Sequence, residues 1–230
     1  ARPKIGKSLL ANNIGMRVAS GSGYTNYFQE GNPAKWAPPT QPVPVLQLDT
    51  EMTKEDQWVR MMAFMSGVTI NDIETGKYAS DNHKKRLVNQ AIDRLENMPY
   101  DFLSIAGQAF EETIATMRRW LTKKVGLNDD GSAKPCLVIF DYLKLMSYDS
   151  MESRNLQEFQ VLGFMMTQLH NFAVRYKVPI LTFIQLNRDG INVEDTSVAS
   201  GSDRIIWLCS NFSIYKKKSD EELAEQVGSR

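Results

Sequence analysis

The chain has 230 residues, 42% of them apolar, which is enough for one large domain with a full core. Its 27 basic and 27 acidic residues cancel. Neutrality argues against a surface that binds nucleic acid indiscriminately, while leaving room for a local basic patch or for a ring that gathers basic loops from several subunits. No apolar run approaches the length of a membrane span, and no stretch reads as a signal peptide. Cys136 and Cys209 lie in apolar runs without metal-ligand spacing and read as buried free thiols of a reducing compartment. His83 and His170 are far apart, with no partner that would give them a catalytic role.

In chain order, the first eight residues come first. Ala1, Arg2, Pro3, Lys4, Ile5, Gly6, Lys7 and Ser8 fit the phosphate-binding loop pattern G-x-x-x-x-G-K-[ST], with Ala in place of the first Gly. In such a loop backbone N–H groups wrap nucleotide phosphates, the lysine reaches the β and γ phosphates, and the hydroxyl joins the Mg²⁺ shell. A helix must follow to complete the anion site, and Leu10, Ile14 and Val18 recur at helical spacing. Residues 21 to 42, rich in Gly and Pro, read as an irregular insertion. Val43 to Leu48 reads as a buried strand ending at Asp49-Thr50-Glu51-Met52. Thr53 to Ser66 reads as a helix capped by Thr53, with Trp58, Met61, Met62 and Met65 on its apolar side.

Ser80 to Met98 predicts a helix through Leu87, Ala91, Leu95 and Met98, and Phe102 to Ile105 a short strand. Phe110 to Val125 predicts another helix. Cys136 to Phe140 is apolar throughout, as a strand covered on both faces would be, and ends at Asp141. Asn155 to Tyr176 is the longest helix, and Val178 to Ile184 a buried strand ending at Gln185. Ile205 to Cys209 and Phe212 to Tyr215 read as two more strands. Alternating strands and helices argue for an α/β fold with a largely parallel sheet, whose ligands bind at the carboxyl ends of the strands.

Lys7, Ser8, Glu51, Asp141 and Gln185 then fall at one edge of that sheet. Phosphoryl transfer to water needs a phosphate cradle, Mg²⁺ and a group that orients the attacking water. Asp141 suits support of the metal beside Ser8. Glu51 is the candidate general base, with Asp49 two residues earlier as an alternative that an extended segment would point the same way.

These segments resemble the DnaB family of replicative helicases. The Ala-Arg-Pro opening of the loop is typical of that family, and Asp49-Thr50-Glu51-Met52 looks like its S-L-E-M segment, whose glutamate is catalytic. Ser66-Gly67-Val68 with Thr75-Gly76-Lys77 resembles the stretch ending in R-T-G-K, and Ile139 to Met146 is similar to the I-D-Y-L-Q-L-M segment. Gln185-Leu186-Asn187-Arg188 matches S-Q-L-N-R from the glutamine onward, and Ser200-Gly201-Ser202 resembles E-S-G-S. The resemblance implies a single RecA-like P-loop NTPase core over residues 1–230 that uses ATP and Mg²⁺ in the cytoplasm of a bacterium or a phage-infected host. It implies a homo-hexamer that translocates on single-stranded DNA and unwinds duplex, with primase and a helicase loader as partners. Gln185 inherits the role of sensing the γ-phosphate. Loops after Asp141 and Gln185, carrying Arg154, Arg188, Gly190 and Gly201, are expected to contact the DNA backbone.

The sequence also departs from the family. The 21–42 insertion is longer than the usual connection, and Ala199 replaces the acid before Ser200-Gly201. The strand expected before the phosphate loop and the strands that bear the family's arginine finger are expected to lie outside the chain, and Lys216-Lys217-Lys218 reads as a solvated strand end. Two other readings are a recombinase or KaiC-like ATPase of the same fold, and a non-hydrolysing module that keeps ATP as a structural ligand.

Overall fold

The computed structural model describes residues 6–21, 41–143, 158–184, 203–215 and 218. The proposed insertion therefore lies almost wholly outside the described residues. Four strands form one parallel sheet in the order β2-β1-β3-β4, with β1 at Val45–Asp49, β2 at Tyr100–Ser104, β3 at Leu137–Leu143 and β4 at Ile180–Ile184. Every residue of β1 is buried, and β3 is nearly so, because the two central strands are covered on both faces.

Side chains alternate along the central strands and divide between two layers. Leu46, Leu48, Val138 and Phe140 join the larger core with helices α5 (Phe110–Trp120), α6 (Glu158–Tyr176) and α7 (Asp203–Trp207). Val45 and Ile139 meet helix α1 (Lys7–Ser20) on the other face, and beyond it lie α2 (Lys54–Ser66) and α4 (Asn82–Glu96). Each fully buried Leu or Phe of this kind contributes about 1.5–3 kcal/mol relative to an exposed one.

Helix α1 turns a different side to the sheet than its Leu10-Ile14-Val18 spacing predicts. Those three are only half-buried, and Ala11, Asn12, Gly15, Met16 and Ala19 are buried instead. The reason is closeness. A Cβ on Gly15 would stand 2.9 Å from both the Ile139 side chain and the Tyr100 ring, so small residues at intervals of four let the helix lie against the strands.

Helix α2 begins as predicted. Thr53 accepts from the Asp56 amide at 3.1 Å, Glu55 and Asp56 occupy the positive end, and Gly67 at φ 70° closes the other end. A short helix α3 (Ile70–Glu74) and a 3₁₀ turn at Lys77–Ser80 fill a stretch for which the sequence predicted no regular element. The predicted helix from Phe110 to Val125 is α-helical to Trp120 and continues as a π turn over Leu121–Val125. Trp120 and Leu121, at the junction, are both buried.

The two strands expected near the end of the described chain are absent from it. Residues 203–207 form α7, and 211–215 have no regular structure. A run of five apolar residues cannot by itself choose between strand and helix. Here Ile205 is buried among the residues of the larger core while Trp207 is 81% exposed, and the segment packs on α6 instead of extending the sheet. The His170 ring contacts the Leu208 carbonyl at 3.0 Å from α6.

Candidate functional site

The site forms where β1 and β3 end beside the start of α1. Gly6 has φ 100°, a left-handed conformation that suits glycine, and its carbonyl accepts the Leu10 amide at 2.9 Å to begin the helix. No side chain caps α1, and no acid lies in its first turn. The first turn instead carries Lys7, a charge that the helix dipole disfavours at that end. A helix N-terminus with no side-chain cap, carrying a lysine, suits an anion.

Asp49 and Asp141 are in-register neighbours on adjacent parallel strands. They differ in their partners. Asp49 Oδ1 accepts the backbone amides of Glu51 and Met52, both at 2.8 Å, so that carboxylate builds the turn that carries Glu51 out of the strand. Thr50 closes the same corner by donating its amide to the Asp141 carbonyl at 3.0 Å.

Asp141 is 2% exposed, and neither carboxylate oxygen has a hydrogen bond of good geometry among the described residues. Burial pushes its pKa above the ordinary carboxylate range; the nearby Ser8 hydroxyl and Lys7 oppose that shift, and Asp49 and Glu51 reinforce it. A buried carboxylate with two unsatisfied oxygens beside a serine hydroxyl fits a hard divalent cation. Among the described residues no group of three or more His, Cys, Asp or Glu could hold a metal ion.

Glu51 is exposed, in the bend after β1. Its Oε1 accepts the Tyr142 hydroxyl at 3.0 Å, and the ring of Tyr142 carries Lys7 Nζ 3.8 Å from its centroid. Lys7, Ser8, Glu51 and Asp141 thus lie together at this edge of the sheet. Ala1, Arg2, Pro3, Lys4, Ile5, Gln185, Arg154, Arg188, Gly190 and Gly201 lie outside the described residues.

Two features escaped the sequence reading. Strict alternation along β3 would send Tyr142 away from the Asp141 face. The pairing of β3 with β4 is irregular between Phe140 and Leu143, and there the tyrosine reaches Lys7. The second is a buried amide network. Asn12 of α1 and Gln57 of α2 exchange hydrogen bonds at 3.2 and 2.8 Å, Gln57 also reaches Gln47 of β1 at 3.5 Å, and the Tyr100 hydroxyl donates to Gln47. Its only signal in the sequence is a glutamine inside an otherwise apolar strand.

The model of the DnaB-like helicase C terminal domain matches residues 1–198. The chain belongs to that family. Among solved structures, this DnaB-like domain is similar to an isolated ATPase domain, with TM-score 0.69, 17% identity, and coverage of 90% of this chain and 64% of that one. It is also similar to a DnaB-like replicative helicase whose interactions with primase were described, with TM-score 0.67, 16% identity, and coverage of 90% of this chain and 43% of that one. The DnaB-like domain thus has the fold of RecA-like ATPase domains and spans less than two thirds of either relative's length. No curated protein matches it in sequence. Among the described residues, no helix of the DnaB-like domain is long and apolar enough to cross a membrane.

Proposed function

We propose that this chain is the motor domain of a replicative DNA helicase, hydrolysing ATP to translocate on single-stranded DNA and unwind duplex as a hexameric ring. The observation that carries the reading is the meeting of Lys7, Ser8, Asp141 and Glu51 at the carboxyl edge of a parallel sheet, beside an uncapped helix N-terminus. Family membership supports it.

In this reading the loop through Ser8 wraps the phosphates, and Lys7 leaves the Tyr142 ring for the β and γ phosphates, whose charge attracts it more strongly. Ser8 and Asp141 hold Mg²⁺, which supplies charge neutralisation at the phosphate oxygens when bound. Glu51 orients the attacking water and accepts its proton. Asp49 stays in its turn, with Oδ1 bound to two amides. Gln185 follows directly on β4 and reports the γ-phosphate. The segments that leave the sheet after β3 and β4 start from the same edge as the site and carry Arg154, Arg188, Gly190 and Gly201 toward DNA. Primase and a loader are the proposed partners of the full-length protein.

Steady-state ATP hydrolysis by the full-length protein, with and without single-stranded DNA, tests this. Turnover should rise with DNA, and Glu51→Gln should lower it by about 10²- to 10⁴-fold while ATP binding persists. Tight ATP binding without hydrolysis under either condition would replace the motor with an assembly module.

A further inference from the structure

We propose that Tyr142 is a positioning residue of the hydrolysis site, fixing the Glu51 carboxylate through its hydroxyl and seating Lys7 on its ring. The inference rests on the function proposed above and assigns a role to a residue that takes no part in binding phosphate or metal there.

The argument begins with rigidity. Glu51 sits on an exposed bend, with a long side chain that can adopt many rotamers. Tyr142 sits half-buried in a seven-residue strand at the centre of the sheet, next to Asp141. The 3.0 Å bond from its hydroxyl to Glu51 Oε1 therefore ties the end of a long, exposed side chain to a central strand. A water-orienting carboxylate must be held within a fraction of an ångström of its working position, and a bond of this kind does that.

The phenol is suited to be a permanent donor. A phenol is protonated at neutral pH, and this one already donates to Glu51 Oε1 at 3.0 Å. The ring performs the other half of the role. With Lys7 Nζ 3.8 Å from the centroid, the aromatic face holds the ammonium close to the uncapped end of α1 before phosphate arrives. One side chain thus holds the Glu51 carboxylate for the water and keeps Lys7 beside the phosphate seat until the phosphates draw it off the ring.

The test uses Tyr142→Phe, which keeps the ring and removes the hydroxyl. In the full-length protein the expected result is a kcat lower by about ten- to a hundredfold, with KM, nucleotide affinity and melting temperature unchanged. A general packing defect would move the melting temperature as well. In a Glu51→Gln background the same substitution should change the residual single-turnover rate by less than about twofold, because the group it positions is already disabled. Full turnover in Tyr142→Phe, or an equal further loss in the Glu51→Gln background, would overturn the inference. Absence of ATP turnover in the wild type would sink the motor reading and this inference together. Turnover that Glu51→Gln abolishes and Tyr142→Phe leaves intact would sink this inference alone.

Discussion

At the scale of single residues, the site trades stability for chemistry most clearly at Asp141. Its folded pKa lies above the ordinary value, chiefly through burial. Between the unfolded and folded values the native state holds a proton that the unfolded state has lost, so stability falls as pH rises through that window and stays lower above it. Asp141→Asn should therefore raise the melting temperature of the nucleotide-free protein at neutral pH, by about 2–4 °C for each kcal/mol gained, and flatten its dependence on pH above the ordinary carboxylate range. Thermal melts across that range check this; a lower melting temperature in the variant at pH 7 would refute it. The pair Asp49 and Glu51 shows where the sequence stopped being readable. Extended spacing made them equivalent, but the strand ends at Asp49, and that carboxylate folds back on the two following amides. A two-residue period cannot report a turn that the residue itself creates.

At the scale of elements, α1 depends on what is missing from its inner face. Gly15→Ala would push a methyl group to 2.9 Å from Ile139 and Tyr100, and should cost about 1–3 kcal/mol in denaturant unfolding. The amide network gives a second prediction. Asn12→Leu and Gln57→Leu should each cost about 1–3 kcal/mol by leaving a buried partner unsatisfied, and the double variant should cost less than their sum. Equilibrium unfolding of the three variants decides it, and strict additivity would mean that the two amides are not coupled. Helix α2, with its cap and acidic first turn, and the long apolar strands were legible because local chemistry and burial agree there. The α1 face and the segment at 203–215 were not, because a neighbour decides them: the sheet selects small residues on α1, and α6 selects a helix at Ile205.

At the scale of the molecule, the parallel sheet was legible because apolar runs end in polar strand tips again and again along the chain, and that pattern has few solutions. The site was legible as a set of strand ends and much less so as a geometry. Nothing in the order of residues announces that Tyr142 spans Lys7 and Glu51, since the strand breaks its alternation there. A ligand seated between α1 and the strand tips would couple both layers to one event. Nucleotide with Mg²⁺ at about a hundred times its dissociation constant should stabilise the fold by about 2.7 kcal/mol, and Lys7→Ala should remove most of the shift. Differential scanning calorimetry with and without nucleotide reads this directly, and an undiminished shift in the variant would remove Lys7 from the phosphate seat.

The strand order also sets a timetable for synthesis. β1 lies between β2 and β3, and its partner Asp141 emerges from the ribosome about ninety residues after Asp49, roughly 5–18 s later at typical elongation rates. Throughout that interval the most buried strand of the sheet has at least one open edge and no cover from α6. The nascent chain is therefore a natural client for a holding chaperone until β3 arrives to shut the sheet around it.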